Sequence, residues 1–188
     1  PLTAETPLLP LTMHPAFRGG KLTPWGGEKL RTVYGKPIAE VPTGERLEVS
    51  CIPGLESTDD TGVKLPELIA KYGARFAGKY AGETFPLLIK IIDAKDDLSI
   101  QVHPDDAYAG VHENGSLGKT ECWYVLDCDE GATIIIGHNA SSKEEMAQMV
   151  AENRWSELLR QVPIHKGDFF QIDPGCLHAI KGGTLILE

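Results

Sequence analysis

Three short segments carry side chains with the chemistry to bind a metal. In Ser99-Ile100-Gln101-Val102-His103-Pro104, the two-residue period of a strand sends Ser99, Gln101 and His103 out from one face, with Ile100 and Val102 on the other. Three polar side chains in register must converge on something that repays their desolvation, such as a metal or a polar ligand. In Gly118-Lys119-Thr120-Glu121-Cys122-Trp123-Tyr124, a carboxylate opens an apolar strand, where Glu121 would be costly to bury alone. In Gly167-Asp168-Phe169-Phe170-Gln171-Ile172-Asp173-Pro174-Gly175-Cys176-Leu177-His178, a strand is followed by a Pro-Gly turn that would reverse the chain and present His178 back across the sheet. Imidazole nitrogens from His103 and His178, a carboxylate oxygen from Glu121 and the amide oxygen of Gln101 as a further candidate make a mixed nitrogen and oxygen set. Zinc is the default for such a set, one ion per chain, although iron, manganese or cobalt would tolerate the same ligands. Lys119 stands two residues before Glu121, where it is either a solvated lysine or a catalytic and binding group that holds a phosphate or stabilises developing negative charge.

The elements that position these groups are mostly strands. Arg46 to Cys51 alternates polar and apolar side chains, and Phe85–Ile92, Leu98–Val102, Glu121–Leu126, Ala132–Ile136, Asp168–Ile172 and Thr184–Leu187 are further strand candidates bounded by Gly, Pro or Asp. Leu65 to Gly78 reads as one helix, with Pro66 in its first turn and Leu68, Ile69, Tyr72 and Phe76 at three- and four-residue steps. A second helix is signalled by capping-box spacing between Ser141 and Glu144 and an apolar stripe of Met146, Met149 and Val150, and a short piece follows around Trp155 to Leu159. Before about residue 45, Pro7, Pro10, Pro15, Gly19, Gly20, Pro24, Gly26, Gly27 and Pro37 leave room only for short extended pieces, a wrapping arm. Strands without a helix after each point to an antiparallel sandwich.

With 41% hydrophobic and 24% charged residues among 188, the chain has the composition of a protein that buries a core. The formal charge of -9, with no Lys/Arg cluster, argues against a nucleic-acid partner but leaves room for one small phosphorylated ligand. No stretch is long and apolar enough to span a membrane, and Pro1-Leu2-Thr3 does not open a secretion signal, so a cytoplasmic location is expected. Cys51, Cys122, Cys128 and Cys176 show no metal-type spacing and read as reduced core thiols. His14, His112, His138 and His165 read as structural or solvated. Asp105 and Asp106 read as a helix start, which favours acidic residues. Trp25 either lines a pocket rim or plugs the sandwich. The oligomeric state is not legible.

The run from Gly167 to His178 has the spacing of the second cupin motif, with Asp173 at the usual proline position and Pro174 one place later. Together with Pro24-Trp25-Gly26-Gly27, Gln101-Val102-His103-Pro104-Asp105-Asp106, Gly118 to Tyr124 and Pro174-Gly175-Cys176-Leu177-His178-Ala179, in order along nearly the whole chain, it makes the sequence resemble the type I mannose-6-phosphate isomerases in their shorter bacterial form. That resemblance implies a mainly β fold, a cupin or jelly-roll antiparallel sandwich with a few short helices. It implies zinc ligands at His103, Glu121, His178 and Gln101, and places Ser99 and Lys119 against the substrate phosphate or sugar. The implied reaction interconverts mannose 6-phosphate and fructose 6-phosphate through an enediol. Two departures stand out: Leu47-Glu48-Val49-Ser50 has leucine where the family usually shows tryptophan, and the family's catalytic arginine lies in a segment beyond Glu188. Residues 1–188 are therefore expected to form one cupin-like, metal-binding catalytic domain cut before a further C-terminal β segment. The alternatives are a sugar-binding or regulatory relative without turnover, and an iron cupin oxygenase, against which the Gly118–Glu121 run and Trp25-Gly26-Gly27 speak.

Overall fold

A computed structural model describes residues 8–37 and 41–188; the parts of the expected arm in residues 1–7 and 38–40 lie outside it. In chain order the elements are β1 (Met13–His14), β2 (Ala16–Gly19), α1 (Lys29–Thr32), β3 (Thr43–Val49), β4 (Thr58–Asp59), α2 (Leu65–Tyr72), α3 (Ala74–Ala77), β5 (Ile89–Ala94), α4 (Asp106–His112), β6 (Glu121–Cys128), β7 (Thr133–His138), α5 (Lys143–Ala151), α6 (Trp155–Leu158), β8 (Leu159–Pro163), β9 (Phe169–Ile172), β10 (His178–Ala179) and β11 (Thr184–Leu187). The main sheet has six strands in the order β2-β3-β5-β11-β6-β9, and a smaller one runs β10-β7-β8. Every pairing in both is antiparallel.

The two sheets meet over one core. Ile92 and Ala94 of β5, Trp123 and Val125 of β6, Ile172 of β9 and Ile186 of β11 face Ile134 of β7 together with Ile164 and Ile180. The period of two is plain on β6, where Trp123 and Val125 are buried while Cys122 and Tyr124 are exposed. Each such fully buried aliphatic or aromatic side chain contributes about 1.5–3 kcal/mol relative to leaving it in water. This is the mainly β antiparallel sandwich the sequence implies. Trp25 packs against this core, and its carbonyl accepts hydrogen bonds from the backbone N–H of Lys95 and Asp96, both at 3.0 Å. It therefore plugs the sandwich.

Several elements differ from expectation. The single helix over Leu65–Gly78 is two pieces, because Gly73 adopts φ +53° and breaks the helix after Tyr72. The cap of α5 is one residue later than read: Ser142 Oγ accepts from the N–H of Glu145, whose carboxylate reaches back to the N–H of Ser141 at 2.6 Å. The strand expected over Phe85–Ile92 begins only at Ile89, since Pro86 offers no N–H to a ladder. The strand expected from Arg46 is already paired from Thr43 and ends at Val49. Leu98–Val102 is extended but not a ladder strand: it holds to the His178 segment through Leu98 N–H to Ile180 O and a reciprocal pair between Gln101 and His178, all at 2.9 Å. Consequently Ile100 and Val102 stay exposed. The arm holds the short helix α1 as well as extended pieces, and Cys122 is exposed instead of lying in the core.

Candidate metal centre

His103, Glu121 and His178 come from three separate segments, and one ligand atom from each lies within 4.8 Å of the other two. Glu121 opens β6 at the register where it faces Ile172 of β9. His178 lies on β10, paired with Ile136 on one side and bridged to Gln101 on the other. His103 follows in the same extended segment as Gln101. The Pro174-Gly175 turn fixes it further, because Gly175 N–H donates to His103 O at 2.8 Å. Gly118 and Lys119 close the other flank: Lys119 N–H donates to Pro104 O at 3.0 Å, and Gly118 N–H to the Asp106 carboxylate at 2.8 Å. A Cβ at Gly118 would lie 2.4 Å from the Asp105 carbonyl carbon, so only glycine permits this approach. Asp105 itself caps α4, its carboxylate accepting from Tyr108 N–H at 2.8 Å.

The donor set suits a divalent ion. His103 Nε2 stands 3.0 Å from Glu121 Oε1 and His178 Nε2 3.5 Å from Glu121 Oε2. His178 Nδ1 bonds the Cys176 carbonyl at 2.8 Å; donating from Nδ1 fixes the tautomer that turns the Nε2 lone pair toward Glu121. Trp123 Nε1–H donates to Glu121 Oε2 at 3.2 Å and holds the carboxylate in place. Burial pushes the His103 imidazole below its ordinary value, assisted by Lys119 and His178 and opposed by Glu121, which favours the neutral form that coordinates metals. Burial alone would raise Glu121, but the hydrogen bond and charge of Lys119, with His103 and His178, hold it below the usual carboxylate range. Ionised carboxylate and neutral imidazoles are the ligand forms a metal requires.

Beside Glu121 and His178 lies a narrow cleft of about 60 Å³. Gln101, Ser99 and Lys119 all line it, along with Glu45, Lys90 and Glu188. Gln101 Nε2 donates to Ser99 Oγ at 2.9 Å, which leaves its amide oxygen for another partner. Lys119 Nζ contacts Glu121 Oε1 directly and stands 3.6 Å from Glu188. Sequence reasoning missed the charge chain behind them, in which Lys90 Nζ lies 3.2 Å from both Glu45 and Glu188. Burial would lower Lys90, but Glu188 and Glu45 outweigh it and hold the ammonium above its ordinary value. The only signal available was a lysine inside an apolar strand. None of His14, His112, His138 and His165 joins the triad: His14 pairs with Asp60 at 2.7 Å, His112 packs on Tyr108, His165 sits 3.7 Å from Asp168 and His138 is exposed.

Residues 25–131 match the family model of the phosphomannose isomerase type I catalytic domain. A mannose-6-phosphate isomerase of Streptococcus mutans is 50% identical over 168 residues, covering 87% of this chain and 52% of that protein. Bacillus subtilis ManA, also named mannose-6-phosphate isomerase, is 45% identical over 183 residues, covering 95% and 56%. The crystal structure of mannose 6-phosphate isomerase from Bacillus subtilis superposes with a TM-score of 0.88 at 43% identity, over 95% of this chain and 57% of that one. The chain thus spans about half the length of the relatives it matches. A family match over more than half the sequence, on a sandwich of the same shape, places the chain in the type I phosphomannose isomerase family.

Proposed function

We propose that this chain is the metal-binding catalytic part of a mannose-6-phosphate isomerase. The observation that carries the reading is the convergence of His103, Glu121 and His178, from three segments, beside Lys119. These three residues would hold zinc, with the Gln101 amide oxygen as a further ligand; the ion would polarise the sugar's oxygens and hold them in place. Ser99 and Lys119 would face the substrate phosphate or sugar. The ammonium of Lys119, 39% exposed, is free to swing off Glu121 toward a bound anion and offset negative charge that develops as the proton leaves C2. The cleft between the sheets excludes bulk water from the triad, where Glu121 and His178 are 7% and 3% exposed. By itself it is smaller than ordinary small-molecule sites, which run to about 300 Å³ or more, but it adjoins a hollow of about 740 Å³ lined by Lys119, Glu121 and Glu188 and another of about 480 Å³ lined by His103, which would take the rest of a sugar phosphate. Residues 1–188 are taken as one cupin-like unit, acting on a small sugar phosphate in the cytoplasm. Among the described residues no helix is long and apolar enough to cross a membrane.

The test is metal analysis of the purified chain and of His103→Ala, paired with an assay for fructose 6-phosphate formed from mannose 6-phosphate. One zinc per chain, lost in the variant, together with turnover would support the full reading. Metal binding without turnover would leave either an enzyme lacking its remaining segment or a sugar-binding relative, and no metal under replete conditions would sink the site.

A further inference from the structure

The cleft is lined by charges that alternate in sign and extend away from the triad. Arg18 Nη1 lies 3.2 Å from Glu45 Oε2, Glu45 Oε1 3.2 Å from Lys90 Nζ, and Lys90 Nζ 3.2 Å from Glu188 Oε1. Glu188 Oε1 is 3.6 Å from Lys119, which contacts Glu121. The sheet register builds the outer end: Arg18 on β2 stands directly opposite Glu45 on β3, and β3 pairs with β5, which carries Lys90. Glu45 and Lys90 are buried, whereas the Arg18 side chain is 38% exposed at the sheet edge. Glu45 and Lys90 line the cleft; Arg18 does not.

We propose that Arg18 is a positioning residue for anion recognition: it binds one oxygen of Glu45, so that this carboxylate quenches Lys90 only in part and the cleft keeps the charge balance a phosphate dianion needs. Three cations (Arg18, Lys90, Lys119) face three carboxylates (Glu45, Glu188, Glu121). The network is formally neutral, and a divalent ion on the triad would bring the site to the charge complementary to a phosphate dianion. Without Arg18, Glu45 turns wholly to Lys90 and the network carries one negative charge. In surroundings of low dielectric, such a charge acts on a bound anion across the cleft. Because Arg18 touches neither the triad nor the cleft, its loss weakens anion binding and leaves the chemical step alone.

This inference rests on the isomerase reading only for its kinetic arm. The direct measurement is calorimetric binding of inorganic phosphate to the zinc-loaded chain, for the wild type, Arg18→Gln, Arg18→Lys and Glu45→Gln. Arg18→Gln is expected to weaken phosphate binding about five- to tenfold, Arg18→Lys to restore most of it, and Glu45→Gln to tighten it. A tightening cannot come from misfolding, so the opposed signs separate charge tuning from a packing role. In the assay, Arg18→Gln should raise KM with kcat unchanged. Phosphate affinity that is the same in all four proteins, or lower in Glu45→Gln, would overturn the proposal even if the enzyme turns over. The expected affinity pattern without turnover would leave this proposal standing and bear only on the isomerase reading.

Discussion

Gly118→Ala tests how the proposed metal ligands are held. The added Cβ would lie 2.4 Å from the carbonyl carbon of Asp105 and 2.6 Å from both the nitrogen of Asp106 and the oxygen of Pro104. Ordinary carbon contacts begin near about 3.5 Å, so backbone must retreat by about 1 Å. These are main-chain atoms of the segment immediately following His103, which is tied down by Lys119 N–H donating to Pro104 O and Gly118 N–H to the Asp106 carboxylate. Hence the strain cannot relax by turning a side chain, and it moves His103 relative to Glu121. Overpacking of this kind costs about 1–3 kcal/mol, and each 1 kcal/mol lowers Tm by about 2–4 °C in a chain of this length. Displacement of a supported ligand typically costs about 10- to 100-fold in metal affinity, or about 1.4–2.8 kcal/mol. Thermal melts without metal and zinc titration by competition with a chelating dye measure the two losses separately. Wild-type zinc affinity in Gly118→Ala, whatever its Tm, would refute the idea that this contact positions His103.

Trp123→Phe removes the indole N–H that donates to Glu121 Oε2 at 3.2 Å while keeping most of the ring in the core. It is expected to destabilise the chain by about 1–3 kcal/mol and to weaken zinc binding, and unaltered zinc affinity would show that the indole does not orient the carboxylate. Asp93 supplies a pH prediction. Burial raises its carboxyl above the ordinary 3.8, against the hydrogen bonds from Lys29 and Leu30 N–H. The folded state therefore holds this proton more tightly than the unfolded chain, and the associated stability is complete below the unfolded value and lost as pH rises through the raised folded one. Asp93→Asn should flatten that fall in urea melts collected across the acid range. The same slope in both proteins would contradict it.

Much of the site was legible in the chain because strand periodicity is local. Ser99, Gln101 and His103 had to share a face wherever that segment went, and the structure lines one cleft with Ser99 and Gln101 and groups His103 with Glu121 and His178, which line the same cleft. Glu121 at the head of an apolar strand signalled a compensated carboxylate, and its compensation is Lys119, His103, His178 and Trp123. Boundaries were less legible. Gly73 looked tolerable inside a helical period, yet its left-handed φ ends α2, since a glycine's backbone is settled by where the chain goes next. Leu98–Val102 reads as a strand in isolation, but it finds only the short His178 segment beside it and makes no ladder.

By itself the sequence determined which residue types could bind a metal, the alternation that makes a mainly β sandwich, and the motifs shared with the type I phosphomannose isomerases. Tertiary structure alone decided that His178, 57 positions after Glu121 in the numbering, lies 3.5 Å from it, and that Arg18, Glu45, Lys90 and Glu188 join in one chain of charges. The physical reason is that periodicity and spacing specify a face, whereas the groups meeting across that face are chosen by sheet register. Register is set by pairings between segments far apart in sequence, here β2 with β3, β3 with β5 and β6 with β9.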